Sequence, residues 1–168
     1  MDEAQVWRLI EDAKQQSSGE CDAQAARVEQ ALGGLPPEEI VAFDRAFDDL
    51  HKAAYRWDLW GASYLINGGA SDDGFAYFWC WLIAQGREVY ERALADPDSL
   101  ADVIGPDLEE AECEDLWHAP AMAYEKKTGH EMVAETAGPA VESEPAGRKW
   151  VEDELDALLP RLAAKVNG

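Results

Sequence analysis

INGGASDDGFAYFWCWLIAQG, residues 66–86, sets a glycine turn and two acids against ten consecutive uncharged residues, Phe75 to Ala84. A run of that kind is either a buried strand or a helix buried on most sides. Its flanks decide for the helix. Ser71 is a good N-cap, because its hydroxyl can accept a bond from a free amide two or three residues on. Asp72 and Asp73 then fall in the first turn, where the helix dipole favours negative charge. Beyond the run, Phe75, Phe78, Leu82, Gly86, Val89 and Ala93 keep helical spacing, and Glu88 and Arg92 stand four apart in the favourable order. The pattern predicts one helix over about 72–95, with Gly86 at a close contact or slight kink.

Upstream, Pro36 and Pro37 followed by Glu38 and Glu39 mark a helix start. Ile40, Phe43, Phe47, Leu50, Ala54, Trp57, Gly61 and Tyr64 then recur at alternating spacings of three and four. They predict a helix over about 38–66, bent near Trp57 and closed at the Asn67-Gly68-Gly69 turn. These two helices are the expected central antiparallel pair of an all-α, single-domain helical bundle. Helices are also expected over 2–16, 20–32 and 109–127, the last kinked by Pro120, with a short one opened by Asp96 and Pro97. Residues 130–148 carry Pro and Gly without a sustained period and read as an extended strap or linker. A last helix, about 150–164, is expected to bury Trp150, Leu155, Leu158, Leu159 and Leu162. The organisation expected is a helical core over 1–129, the strap, and a C-terminal helix within 149–168 packing on the core.

The 168 residues carry 14 lysines and arginines against 35 aspartates and glutamates, a net charge of −21. A surface so acidic has no excess of cations to exchange for the counterions of a phosphate backbone or an anionic membrane, so direct nucleic-acid and membrane binding are excluded. The partners it admits are a basic protein or a small cationic or planar ligand. The longest apolar run, Phe75 to Ala84, is half a membrane span, and the N-terminus lacks the basic start and apolar run of a signal peptide. A cytoplasmic location is the expectation. Cys21, Cys80 and Cys113 are widely spaced with no C-x-x-C, so neither a zinc ribbon nor a thioredoxin-type pair is written here, and Cys80 reads as a small buried hydrophobe.

Ser71, Asp72, Asp73 and Gly74 form the most site-like cluster. Adjacent carboxylates beside a glycine turn can hold a divalent cation or act as an acid–base pair, but capping alone also accounts for each residue. A second constellation is Asp48-x-x-His51 and Asp115-x-x-His118, since i,i+3 carboxylate–histidine pairs on two helices are half the ligand set of a di-iron bundle. The motif normally has Glu and needs two further carboxylates, and nothing in the sequence selects them. The aromatic residues between Tyr55 and Tyr90 outnumber what one seam buries. A groove stacking a planar or cationic ligand, with Trp60, Tyr64 and Trp79 as its rings and Asp58, Asp72 and Asp73 as anchors, is weighed against plain core packing. No H-E-x-x-H, phosphate loop or nucleophile elbow is present, and no organic cofactor is implied.

AYRWDLWGASYLINGGASDDGFAYFWCWLIAQGREVYERALADPDSLAD, with WRLIEDA, LPPEEI and AYEKKTGHEM, closely resembles the bacterial domain-of-unknown-function family DUF4240 over most of residues 1–132. The family pattern has a cysteine before SDD and an arginine after DGFxxF, where this chain has Ala70 and Trp79. The resemblance implies no activity. Its members are small stand-alone proteins, and related domains are sometimes joined to a WGR module, which points to a binding or regulatory role. The function expected is a non-catalytic binding or regulatory module. The alternatives are a metalloprotein or enzyme at the SDDG turn and an immunity-type or nucleic-acid-mimicking inhibitor of a basic partner.

Overall fold

Asp2 opens the first helix as a capping box: its carboxylate accepts from the Gln5 N–H at 2.8 Å, and the Gln5 side chain accepts from the Asp2 N–H at 2.9 Å. The structure is a computed structural model that describes residues 1–133 and 144–168, so part of the expected strap lies outside the described residues. The all-α class is confirmed: among the described residues there is no sheet, only an isolated bridge between Arg56 and Ala146. Helices α1 (Glu3–Ser17), α2 (Cys21–Gly33), α3 (Pro37–Ala54), α4 (Trp57–Asn67), α5 (Asp72–Ala84), α6 (Arg87–Ala95) and α7 (Glu114–Thr128) form the main body. A 3-10 turn, Pro97–Asp102, follows α6, and the C-terminal segment carries short helices α8 (Leu155–Leu158) and α9 (Pro160–Asn167).

Both long helices expected at the centre are broken, each for a tertiary reason. The run over 38–66 divides at Tyr55 and Arg56, where the backbone leaves the helix to pair with the C-terminal segment. There Ala146 N–H donates to the Tyr55 carbonyl at 3.0 Å, and Trp57 N–H donates to the Ala146 carbonyl at 2.9 Å. The run over 72–95 divides at Gly86, whose φ of 104° is closed to most side chains. A Cβ there would also stand 3.2 Å from Glu11 Oε1. That same oxygen accepts the Arg87 N–H at 2.9 Å and opens α6 from another helix. Apolar spacing continues through both breaks because the residues on each side still face one core.

In place of a central pair, α5 alone is the hub, packed against α1, α2, α3, α4, α6 and α7. Phe75, Phe78, Cys80, Leu82 and Ile83 are fully buried along it. Its end is closed by side chains far away in sequence: Gln24 Nε2 donates to the Ala84 carbonyl at 2.9 Å, and Lys14 Nζ to the Gln85 carbonyl at 2.9 Å. Helix α7 begins later than expected. Residues 109–113 are held as a connection, with Asn67 Oδ1 accepting from the Ala111 N–H at 2.8 Å and Cys113 N–H donating to the Tyr77 carbonyl at 3.0 Å. Pro120 is accommodated within α7.

The last helix is likewise in pieces, because Leu159 turns out of helical geometry ahead of Pro160. Leu155, Leu159 and Leu162 are buried as expected, whereas Leu158 is 49% exposed. The start of α9 is capped from the 3-10 turn: the buried Asp98 carboxylate accepts from Arg161 N–H at 3.1 Å and Leu162 N–H at 2.8 Å. Gly61 makes room for this segment, since a Cβ on it would lie 2.8 Å from Leu155 Cδ2.

Cys21 and Cys113, which the sequence leaves unassigned, are joined in a disulfide across 92 residues. It ties the first residue of α2 to the residue preceding α7, the two helices that pack along one another most extensively. Closing so long a loop restricts the unfolded chain, so Cys21→Ser should lower the unfolding free energy by about 2–5 kcal/mol. Urea denaturation of the oxidised parent and the variant measures this, and equal midpoints would show that the bond adds no stability.

Candidate functional site

The amino-terminal end of α5 gathers acid. Ser71 caps it, its Oγ accepting the Gly74 N–H at 3.2 Å, and Asp72 and Asp73 stand exposed in the first turn. The connection into α7 brings more acid to the same place. Glu112 lies so near Gly74 that a Cβ there would meet its Oε1 at 3.3 Å. Burial raises the Glu112 carboxyl above the ordinary value, and Glu110 and Glu114 add to the rise. The half-exposed phenol of Tyr77 is held up by partial burial and by the fields of Glu114, Asp73 and Glu112. Asp72 in turn adds to the rise at Tyr55. No lysine or arginine among the described residues forms an ion pair with Asp72, Asp73, Glu110, Glu112 or Glu114; the exposed His118 stands 3.6 Å from Glu114.

A different constellation lies beneath. His51 Nε2 is 3.6 Å from the Cys80 Sγ, and His51 Nδ1 is 3.9 Å from Asp48 Oδ1. The order Cys–His–Asp is that of a nucleophilic triad, and only half of it, the Asp48–His51 pair, was visible in the sequence. The Cys80–His51 contact crosses 29 residues between α3 and α5, so no local signal could reveal it. The pair is sealed. Cys80 is fully buried, and Phe47, Trp79 and Trp117 surround the imidazole with ring centroids at 4.4, 5.8 and 5.5 Å. Burial pushes the thiol up and lowers His51 to about 4, so both are neutral near pH 7 and no thiolate forms.

The remaining expected residues are placed as follows. Asp115 and His118 lie on the exposed side of α7, and the two carboxylate–histidine pairs do not build a common centre. Among the described residues no three of His, Cys, Asp and Glu converge as ligands of one ion. Asp58 is bound to Arg56 at 2.6 Å. Trp60 stacks between Trp57 and Phe75, with centroids at 5.2 and 5.0 Å, and its Nε1 donates to the Ala70 carbonyl at 3.0 Å. Tyr64 packs on Trp150 and is hydrogen-bonded to Glu152, which raises its phenol. Trp79 is buried edge-on to Tyr55 and Phe75, its Nε1 without a partner. Trp60, Tyr64 and Trp79 thus belong to a packed aromatic ladder, and Asp72, Asp73 and Ser71 to the acidic end.

A family model described as a protein of unknown function (DUF4240) matches residues 1–126. No curated protein and no solved structure matches the chain.

The titrating groups of α3 oppose one another. Burial lowers His51 from 6.5 to about 4, so its neutral form stabilises the fold above 6.5, and that stability is lost as pH falls through about 4. Burial, with a smaller effect of Asp48, raises Asp44 from 3.8 to about 6, so its contribution is present below 3.8 and lost as pH rises through about 6. Asp44→Asn should therefore steepen the loss of stability on acidification from pH 6.5 to 4, and His51→Gln should flatten it by on the order of 3 kcal/mol. Urea denaturation at several pH values decides the matter; identical slopes in the three proteins would refute the opposition.

Proposed function

The chain belongs to the DUF4240 family, and on that premise we propose that it is a non-catalytic binding module whose acidic α5 end captures a basic protein. The observation that carries this reading is the crowd of carboxylates around Tyr77 with which no lysine or arginine forms an ion pair among the described residues, while several of the chain's bases are paired elsewhere. Arg87 pairs with Glu3 and Glu91, Arg92 and Arg161 share Asp102, Arg148 holds Glu154, and Lys126 holds Glu29. Like charges held together cost stability, and a partner's lysines and arginines relieve that cost on contact. The half-exposed Tyr77 ring adds a face on which a guanidinium stacks. A DNA-binding protein or a basic toxin is the partner class such a surface masks, with attraction that steers encounter over distance.

Two further facts support a binding role over catalysis. The thiol–imidazole pair of Cys80 and His51 is enclosed, and Asp72 and Asp73 stand exposed to solvent. As to location, no helix among the described residues is long and apolar enough to cross a membrane. The Cys21–Cys113 bond is one that an oxidising setting favours and a reducing one opens.

The test is binding of a lysine- and arginine-rich peptide, followed by fluorescence anisotropy at low and high salt. Affinity should fall steeply as salt rises, and Asp73→Asn/Glu112→Gln/Glu114→Gln should weaken binding at least about tenfold. An affinity unchanged by the triple substitution would remove the acidic end from the interface.

A further inference from the structure

Where the C-terminal segment meets the core, a half-enclosed cavity of about 290 Å³ lies between the start of α4, the 3-10 turn and residues 147–159. Its apolar lining is Trp150, Leu155, Leu158 and Leu159. Trp150 is anchored there, its Nε1 donating to the Trp57 carbonyl at 2.6 Å. Leu158 stands out on a surface of acids as a large aliphatic side chain half in water. A cavity of this size, near the lower end of the range for small-ligand sites, admits a compact molecule.

Charge tells what kind. Two of the charged residues lining the cavity are already neutralised, Asp58 by Arg56 at 2.6 Å and Arg148 by Glu154 at 2.8 Å. The other two, Asp96 and Lys149, have no opposite charge among the described residues and are not paired with each other. Asp96 Oδ1 accepts the Asp98 N–H at 3.1 Å, and Lys149 Nζ stands 5.2 Å from the centroid of the Trp57 ring. Asp96 from the core and Lys149 from the C-terminal segment, both exposed and neither in an ion pair among the described residues, therefore line one cavity with an aliphatic floor.

We infer that this cavity binds a small zwitterion with an apolar side chain, the chemistry of a free α-amino acid such as leucine or phenylalanine. Lys149 meets its carboxylate, Asp96 its ammonium, and Trp150 with the leucines its side chain. Charge-assisted contacts made beside apolar surface are stronger than the same contacts in open water, which gives each end a selective role. The family match ends at residue 126, so Lys149, Trp150 and the three leucines lie beyond it. The site thus joins Asp96, within the family match, to a C-terminal segment that the match does not cover, and it stands apart from the acidic end of α5.

Isothermal titration of the full chain with L-leucine and L-phenylalanine tests this, with isopentylamine and 4-methylpentanoate as analogues lacking one charge each. Saturable binding at one site per chain is expected, with each analogue at least about tenfold weaker than leucine. Lys149→Gln should weaken leucine and 4-methylpentanoate but leave isopentylamine unchanged, and Asp96→Asn, which keeps its capping oxygen, should do the converse. Leu158→Ser, on an exposed position, should weaken all three without unfolding the chain. The triple substitution at the acidic end should leave leucine binding intact. Absence of saturable binding for both amino acids, or analogues that bind as tightly as leucine, would overturn the inference.

Discussion

A helix end buried in the core has no water in which to leave its terminal carbonyls, and the carboxyl end of α5 is such an end. Backbone groups stranded there cost about as much as lost hydrogen bonds, so other parts of the chain must satisfy them. Gln24 and Lys14 do so at its carboxyl end, and Glu11 takes up the first amide of the helix that follows. The architecture arranges itself around that demand. Helices α1 and α2 lie where they do because the polar groups they carry are needed at the Ala84–Arg87 corner, and Gly86 leaves the helical path to let Glu11 in.

The opposite end of α5 is treated differently. It is capped by its own Ser71 and left open, and the connection into α7 adds carboxylates to those already present. What holds the added acids there is covalent and local: Cys113 is bonded to Cys21, and its amide to the Tyr77 carbonyl. One end of the central helix is thus closed by neutralising polar groups and the other carries concentrated, uncompensated charge. That asymmetry is the physical basis for assigning recognition to the second end.

Several local features are legible in the sequence, and remote ones are not. Ser71 as a cap, Asp72 and Asp73 on the dipole, the turn at Asn67–Gly69, and the buried run from Phe75 to Ala84 all follow from neighbouring residues. The breaks at Arg56 and Gly86 do not, because each is imposed by a partner, Ala146 or Glu11, tens of residues away. The disulfide escaped for the same reason: pairing of Cys21 with Cys113 requires α2 to lie along α7, and no spacing encodes that. The acidic end was half legible. Asp72 and Asp73 are visible in the sequence, whereas Glu109, Glu110 and Glu112, which fall at the start of the helix expected over 109–127, belong instead to the connection preceding α7.

Capping by distant side chains also governs how the chain reaches this state. Short helices are marginal alone, and here several lack a cap until a remote residue arrives: α6 waits for Glu11, and α9 for Asp98. Secondary structure at those places cannot precede collapse, so it forms together with the tertiary contacts that complete it. Sequence-distant contacts of this kind raise contact order, and with it the entropy to be overcome before any native interaction rewards the chain. Such contacts tie the formation of α6 and α9 to the packing of the bundle as a whole.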